Sequence, residues 1–195
     1  VVDISNLQRQ ILHTTSRLGM NKVESAEEAI KQLNSDVKLV PHSERLGIQN
    51  VERLLKEYDL ILDGSDNFST RFLLNDACYF LGKTLVSAAI LRFEGQVATY
   101  KPYLGEGHPC YRCIFPEPPP AGLIPSCAEG GVFGALAGVV GSTQCLEGLK
   151  ELLNIGKGLS GYLLVYDGLD TNWRKVKVRP DPNCPLCGTT PSINN

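Results

Sequence analysis

Residues 58–71 read Tyr-Asp-Leu-Ile-Leu-Asp-Gly-Ser-Asp-Asn-Phe-Ser-Thr-Arg, from Tyr58 to Arg71, and the fold is decided there. Leu60, Ile61 and Leu62 form a short unbroken apolar run, as in a strand covered on both faces. Asp63, Gly64, Ser65, Asp66 and Asn67 follow at its carboxyl end, and a helical pattern then runs to about Leu81. In an open α/β sheet, ligands bind outside the carboxyl ends of the strands. Two carboxylates at such an edge repel each other unless a cation, a basic side chain or a proton separates their roles. Asp and Asn are also preferred helix caps, so these residues alone leave capping and ligand binding by Asp66 or Asn67 evenly matched.

Working outward, Val37–Val40 reads as a strand, Val51–Glu57 as a short helix and Thr84–Ile90 as a second buried strand. That alternation is the pattern of parallel βαβ units. Upstream, Val1–Gln10 leaves a strand for a polar turn that places Asn6, Arg9 and Gln10 together near the ligand edge. Gly19-Met-Asn-Lys22 opens an amphipathic helix to about Leu33, with Val23, Ala26, Ala29, Ile30 and Leu33 on its buried side. A lysine in the first turn opposes the helix dipole, and Lys22 gains a purpose if an anion such as phosphate sits in front of it. A merely solvated lysine is the plainer alternative.

Downstream the style changes. Arg92–Tyr100 looks antiparallel, and Leu163–Asp167 with Arg174–Val178 looks like a second hairpin. Between them lies Tyr103–Gly131, a proline-rich loop of a length that is usually functional. The helix over Phe133–Leu153 contains Gly134, Gly138 and Gly141, which lower its propensity but allow close packing. The expected fold is α/β: a Rossmann-like open sheet, parallel in its first half and antiparallel in its second.

A chain of 195 residues suggests one domain with a real core, and 43% hydrophobic with 21% charged residues is ordinary for a soluble globular protein. The net charge of −2 provides no basic field, which argues against nucleic acid or an anionic membrane as the main partner. No apolar stretch is long and pure enough to span a bilayer, and no signal peptide is visible. The opening with Val1 rather than Met, and with strand-like residues at once, suggests a fragment missing its beginning.

Of the seven cysteines, four form two pairs, Cys110-Tyr-Arg-Cys113 and Cys184-Pro-Leu-Cys187, with 70 residues between the pairs. An odd count with paired Cys-x-x-Cys units suits a reducing cytoplasm and a metal better than a disulfide framework. Two such knuckles supply the four thiolates of a tetrahedral structural zinc site, with no open position for substrate. Thioredoxin-type redox chemistry is the rival reading, but it needs only one pair, at a helix start. Cys78 and Cys145 lie in apolar helical patterns and read as small core residues. Cys127 lies in the proline-rich loop near polar Ser126 and Glu129, where a thiolate is reachable. His13, His42 and His108 show no ligand spacing and read as surface or turn residues.

Taken in order, Ser-Asn-Leu-Gln-Arg-Gln at 5–10, Gly-Met-Asn-Lys at 19–22, Asp-Gly-Ser-Asp-Asn at 63–67, Cys-Tyr-Arg-Cys at 110–113, Ser-Cys-Ala-Glu-Gly-Gly-Val at 126–132 and Cys-Pro-Leu-Cys-Gly at 184–188 make a specific set. The chain resembles the ThiF–MoeB–HesA family, bacterial relatives of ubiquitin-activating enzymes, over essentially its whole length. The resemblance implies a nucleotidyltransferase domain over residues 1–195 that adenylylates the C-terminal glycine of a small ubiquitin-fold sulfur carrier. By the same analogy Asp66 holds Mg²⁺, Arg9 and Lys22 bind the phosphates of ATP, and Asn6 and Asn67 belong to the same pocket. The family's glycine-rich phosphate loop and ribose-binding acidic residue would precede Val1, and no GxGxxG occurs here.

The resemblance also implies a cytoplasmic homodimer. In some relatives the cysteine matching Cys127 forms a disulfide-linked adduct with the carrier; others carry it and need only adenylylation, so a nucleophilic role stays open. The segments Cys-Tyr-Arg-Cys and Arg92-Phe-Glu-Gly-Gln96 look closer to the molybdopterin-synthase branch than to the thiamine-thiazole branch. A zinc-stabilised module that docks a ubiquitin-like tail without activating it is the alternative of another class.

Overall fold

The structure, a computed structural model, describes residues 1–120, 123 and 131–194. It divides into two compact units, Val1–Arg45 and Leu46–Asn195.

The first unit is built from turns and one helix, α1 (Lys22–Leu33). Asp3 caps the turn Ile4–Asn6, accepting from the Ser5 amide at 2.8 Å, and Asn21 caps α1, accepting from the Val23 amide at 3.0 Å. Two backbone bonds, Val2 N to Met20 O at 2.8 Å and Gly19 N to Val2 O at 3.0 Å, lash the start of the chain to the entry of α1. Gly19 makes that approach at φ +81°, a conformation costly for any residue with a Cβ.

Within the helix, Val23, Ala26, Ala29 and Ile30 of the expected apolar side are half-buried, but its most buried position is polar and its last apolar residue is exposed. Ser25 is fully buried, its hydroxyl 2.9 Å from His13 Nδ1 and its carbonyl accepting from Arg17 at 2.9 Å, whereas Leu33 is 81% exposed. The most buried position is thus set by a polar cluster that hydrophobic periodicity cannot register. The expected strand Val37–Val40 does not form: the segment is irregular and pairs with no strand among the described residues. An apolar run becomes a strand only where a neighbour completes its backbone hydrogen bonds.

The second unit is one five-stranded sheet in the order β1 (Leu60–Asp63), β2 (Thr84–Leu91), β3 (Glu94–Tyr100), β4 (Tyr162–Asp167), β5 (Asn172–Lys177). β1 and β2 pair in parallel, Leu60 opposite Thr84 through Asp63 opposite Ser87; the other three pairings are antiparallel. The sheet is therefore parallel and then antiparallel, with one parallel pair where the sequence had suggested a longer alternation. Helices α2 (Val51–Leu55) and α3 (Phe68–Phe80) pack on one face, around Ile61, Phe72, Cys78, Leu85, Tyr100 and Tyr111. Helix α4 (Gly134–Leu153) packs on the other, over Val86, Ala88 and Val97.

The close contacts of α4 come from unexpected glycines. A Cβ on Gly95 of β3 would lie 2.3 Å from Val140 Cγ2, and one on Gly148 would lie 3.0 Å from Leu62, while Gly138 and Gly141 border open space. The polarity of α4 is also partly inverted. Gln144 and Glu147 are buried with Leu136 and Val140, whereas Cys145, Leu146, Leu149, Leu152 and Leu153 face outward. Cys145 is thus a surface thiol and not a core residue, and Cys78 alone of the two is buried. Burial pushes the Cys78 thiol up to about 12, which leaves it inert at neutral pH.

Candidate functional site

At the carboxyl end of β1 the chain turns sharply into α3. Asp63, 2% exposed, accepts from the Ser65 amide at 2.9 Å and from the Ser87 hydroxyl at 3.0 Å. A carboxylate so placed needs a countercharge, and Arg71, 9% exposed on the first turns of α3, supplies it at 3.9 Å. The guanidinium donates to the carbonyl of Ala88 at 2.9 Å and to that of Ser65. From the opposite face Gln144 donates to the carbonyls of Asp63, at 2.8 Å, and Val86, at 2.9 Å, so the end of the parallel pair is held from both sides.

These groups separate the roles of the two carboxylates. Asp63 is consumed by the turn. Asp66 is exposed and makes no hydrogen bond or ion pair among the described residues. Asn67 is the cap of α3, its Oδ1 accepting from the Thr70 amide at 2.9 Å and the Ser69 hydroxyl at 2.8 Å, so the capping role falls to Asn67 and leaves Asp66 uncommitted. The Ser65 hydroxyl, beside Asp66, is buried without a partner among the described residues, an oxygen that a ligand can satisfy.

Asn6, Arg9 and Lys22 belong to the first unit. Arg9 donates to the carbonyl of Ser5 at 3.0 Å and follows Asn6 in the same turn. Lys22 is the first residue of α1, half-buried, and lies near enough to Asp3 to help hold its carboxyl below the usual range, an effect owed first to the Ser5 hydroxyl and amide. The backbone bonds between residues 2 and 20 tie the segment that leads into the Asn6–Arg9 turn to the entry of α1, where Lys22 stands. Cys127 lies outside the described residues.

The second constellation is Cys110, Cys113, Cys184 and Cys187, whose sulfurs lie within 4.8 Å of one another. Individual separations are 3.9 Å (110–113), 3.5 Å (110–184) and 3.4 Å (113–187 and 110–187). A tetrahedral zinc with bonds of about 2.3 Å sets sulfurs about 3.8 Å apart, so the donor set fits that ion in both chemistry and size. Without a cation the thiols share protons unequally. Hydrogen bonding to Cys113 and Cys187, and then burial, pushes Cys110 up, while bonds from Cys110 and Cys187 hold Cys113 well below an ordinary thiol. All four are free of disulfides, as are Cys78 and Cys145.

The first knuckle is docked on α3. The Tyr111 amide donates to Asn75 Oδ1 at 2.8 Å in a buried bond. Arg112 grips both oxygens of Asp76 at 2.7 Å, lies over the Phe72 ring at 4.6 Å and donates to the Pro116 carbonyl at 3.0 Å. The second knuckle relies on Gly188, where a Cβ would stand 2.5 Å from the Cys184 carbonyl and 2.6 Å from that of Pro182.

Reading the sequence missed Arg71, Asn75, Asp76, Arg112 and Gln144. A basic residue inside a helix that follows two acidic turn residues was the one available signal, and it pointed to Arg71. His13 and His108 are likewise more than surface residues, each hydrogen-bonded by Nδ1 to a serine, Ser25 at 2.9 Å and Ser160 at 2.7 Å.

The sequence pattern of the ThiF family matches residues 1–186. A relative from Thermus thermophilus, named a sulfur carrier protein adenylyltransferase, is 51% identical over 193 residues, which is 98% of this chain and 71% of that protein. Proteins named adenylyltransferase and sulfurtransferase MOCS3 are 44% identical in Aedes aegypti and 45% in Sus scrofa, and there the chain spans 44% and 42% of the relatives' length. Crystal structures of E. coli MccB, with MccA-N7isoASN and with ATP, superpose with TM-scores of 0.81 and 0.79 over 96% and 95% of this chain and 57% and 56% of MccB. At 16% identity these show a shared fold. The continuous family pattern and a relative of 51% identity across nearly all of it place the chain in one group: it belongs to the ThiF family.

Proposed function

We propose that this chain is the adenylation domain of a sulfur-carrier protein adenylyltransferase, with both units as parts of that domain. The observation that carries the reading is the uncommitted Asp66 carboxylate at the ligand edge of the sheet, with the countercharge already spent on Asp63. The names of the relatives support the reaction class, adenylylation of a sulfur-carrier protein. In the proposed reaction the C-terminal glycine carboxylate of a ubiquitin-fold carrier attacks the α-phosphate of ATP, giving an acyl-adenylate and pyrophosphate.

In this reading Asp66 is the Mg²⁺ ligand, with Asn67 holding the helix start beside it. Arg9 and Lys22 bind the phosphates and Asn6 orients the same polyanion. Held by Asp66, the metal ion would supply neutralisation of the phosphate charge. The chain's own residues contribute position and fixed charge, which is most of what nucleotidyl transfer needs. The four cysteines hold a structural zinc that ties the C-terminal tail to the loop around Tyr111.

The carrier is proposed to be of the molybdopterin-synthase small-subunit type, supported by the segments Cys110-Tyr-Arg-Cys113 and Arg92–Gln96. A homodimer is supported by the uncharged outer face of α4, where Val139, Leu146, Leu149 and Leu153 are exposed. Cytoplasmic residence is supported by the cysteine usage; no helix among the described residues is long and apolar enough to cross a membrane. Cys127 is assigned a step after adenylylation.

The test is ATP–pyrophosphate exchange by the full-length protein with purified carriers. Exchange should depend on a carrier of the molybdopterin-synthase type, and Asp66→Ala should lower it by about a hundredfold or more with the fold intact. Exchange with a thiamine-branch carrier alone reassigns the branch. Tail binding without exchange makes the chain a docking module.

A further inference from the structure

Among the described residues Asp66 is not held by any partner of its own, so its placement depends on the peptide before it. That peptide is gripped at both ends. The Ser65 amide is fixed by Asp63 Oδ1 at 2.9 Å, and the Ser65 carbonyl is fixed by Arg71 Nη2. The other end of the same guanidinium holds Ala88 O on β2 at 2.9 Å. Arg71 thus bridges the turn after β1 to the neighbouring strand. Its distance from Asp63, 3.9 Å, makes that pairing electrostatic and leaves the directional bonds to the two carbonyls. A planar fork reaches two such acceptors at once; a lysine ammonium brings the same charge to a single point.

We propose that Arg71 is a positioning residue: by clamping Ser65 O to β2 it sets the Asp63–Asn67 turn so that the Asp66 carboxylate is presented to a divalent cation. This rests on Asp66 being the Mg²⁺ ligand, and it adds the group that gives the ligand its position. Burial of Arg71 and Asp63 together also leaves Asp66 as the turn's uncompensated negative charge, which is what draws a cation there and nowhere else in the turn.

The test is Arg71→Lys in the full-length protein, with ATP–pyrophosphate exchange measured against Mg²⁺ concentration and Asp66→Asn alongside. The expected result is an Mg²⁺ half-saturation raised about tenfold, as for a lost support of a metal ligand. The maximal rate should recover at saturating Mg²⁺, and the melting temperature should stay near the parent's. A merely structural role would lower stability without that split. If Asp66→Asn abolishes exchange while Arg71→Lys titrates with Mg²⁺ like the parent, the positioning role is overturned and the ligand assignment stands. If Asp66→Asn leaves the Mg²⁺ dependence unchanged, the ligand assignment falls, and the positioning role with it.

Should Arg71→Lys not fold, the double variant Asp63→Asn, Arg71→Gln removes both buried charges and is read in the same way. Failure of that variant to fold as well would also overturn the proposal, because Arg71 would then be needed to build the unit.

Discussion

Asn75 is the residue on which the first cysteine knuckle hangs. It is 1% exposed, and its Oδ1 accepts the Tyr111 amide at 2.8 Å, one residue after Cys110. Asn75→Ala strands that buried donor, at a cost of about 1–3 kcal/mol. It also leaves a void the size of an amide group, worth about 1 kcal/mol more. The sum, about 2–4 kcal/mol, corresponds to a fall in melting temperature of roughly 4–16 °C at the sensitivity of about 2–4 °C per kcal/mol expected for a chain of this size.

Asn75→Leu fills the volume but not the hydrogen bond, and should recover only the smaller part. The assay is thermal unfolding of the zinc-loaded protein, paired with the rate of zinc release to a chromophoric chelator. Release should quicken in both variants, because the knuckle of Cys110 and Cys113 loses one of its two anchors on α3 and keeps only the Arg112–Asp76 pair. A melting temperature within about 1 °C of the parent, with unchanged release, would refute the reasoning.

Three further outcomes are expected. Purified protein should carry about one zinc per chain in all-sulfur coordination, and stripping it should destabilise the C-terminal tail first; absence of metal, or a disulfide within either pair, refutes the site. Gly188→Ala should cost at least about 1–3 kcal/mol and weaken zinc retention, since its Cβ meets backbone and not a flexible side chain. Equal retention in an equilibrium chelator competition would show that the knuckle relaxes freely. Cys127→Ala should preserve pyrophosphate exchange while abolishing carrier thiocarboxylate; loss of exchange would overturn the order of steps, and two normal assays would make Cys127 a bystander.

The two Cys-x-x-Cys pairs announced their cluster through spacing alone, because thiolate chemistry at that spacing has few uses, and the structure brings all four sulfurs together. Leu60–Leu62, Thr84–Ile90 and the helix after Asn67 were equally plain as elements, since each carries an apolar run of the period its backbone requires, although Leu62, 49% exposed, is not covered on its face as a strand buried on both sides would be. The sequence could also name Asp63 and Asp66 as a pair in conflict, but not which of them was free. That was decided by Ser87 and Arg71, residues 24 and 8 positions from Asp63, meeting it across a strand and a helix turn.

The same limit explains the errors. Gln144 and Glu147 take the inner face of α4, with Gln144 bonded to carbonyls of β1 and β2, while leucines point outward. Ser25 takes the inner face of α1 for the sake of His13 and Arg17. Periodicity measures what apolar atoms gain by burial and is blind to polar groups whose hydrogen bonds make burial affordable. Those bonds join residues distant in sequence, so only the tertiary structure decides them.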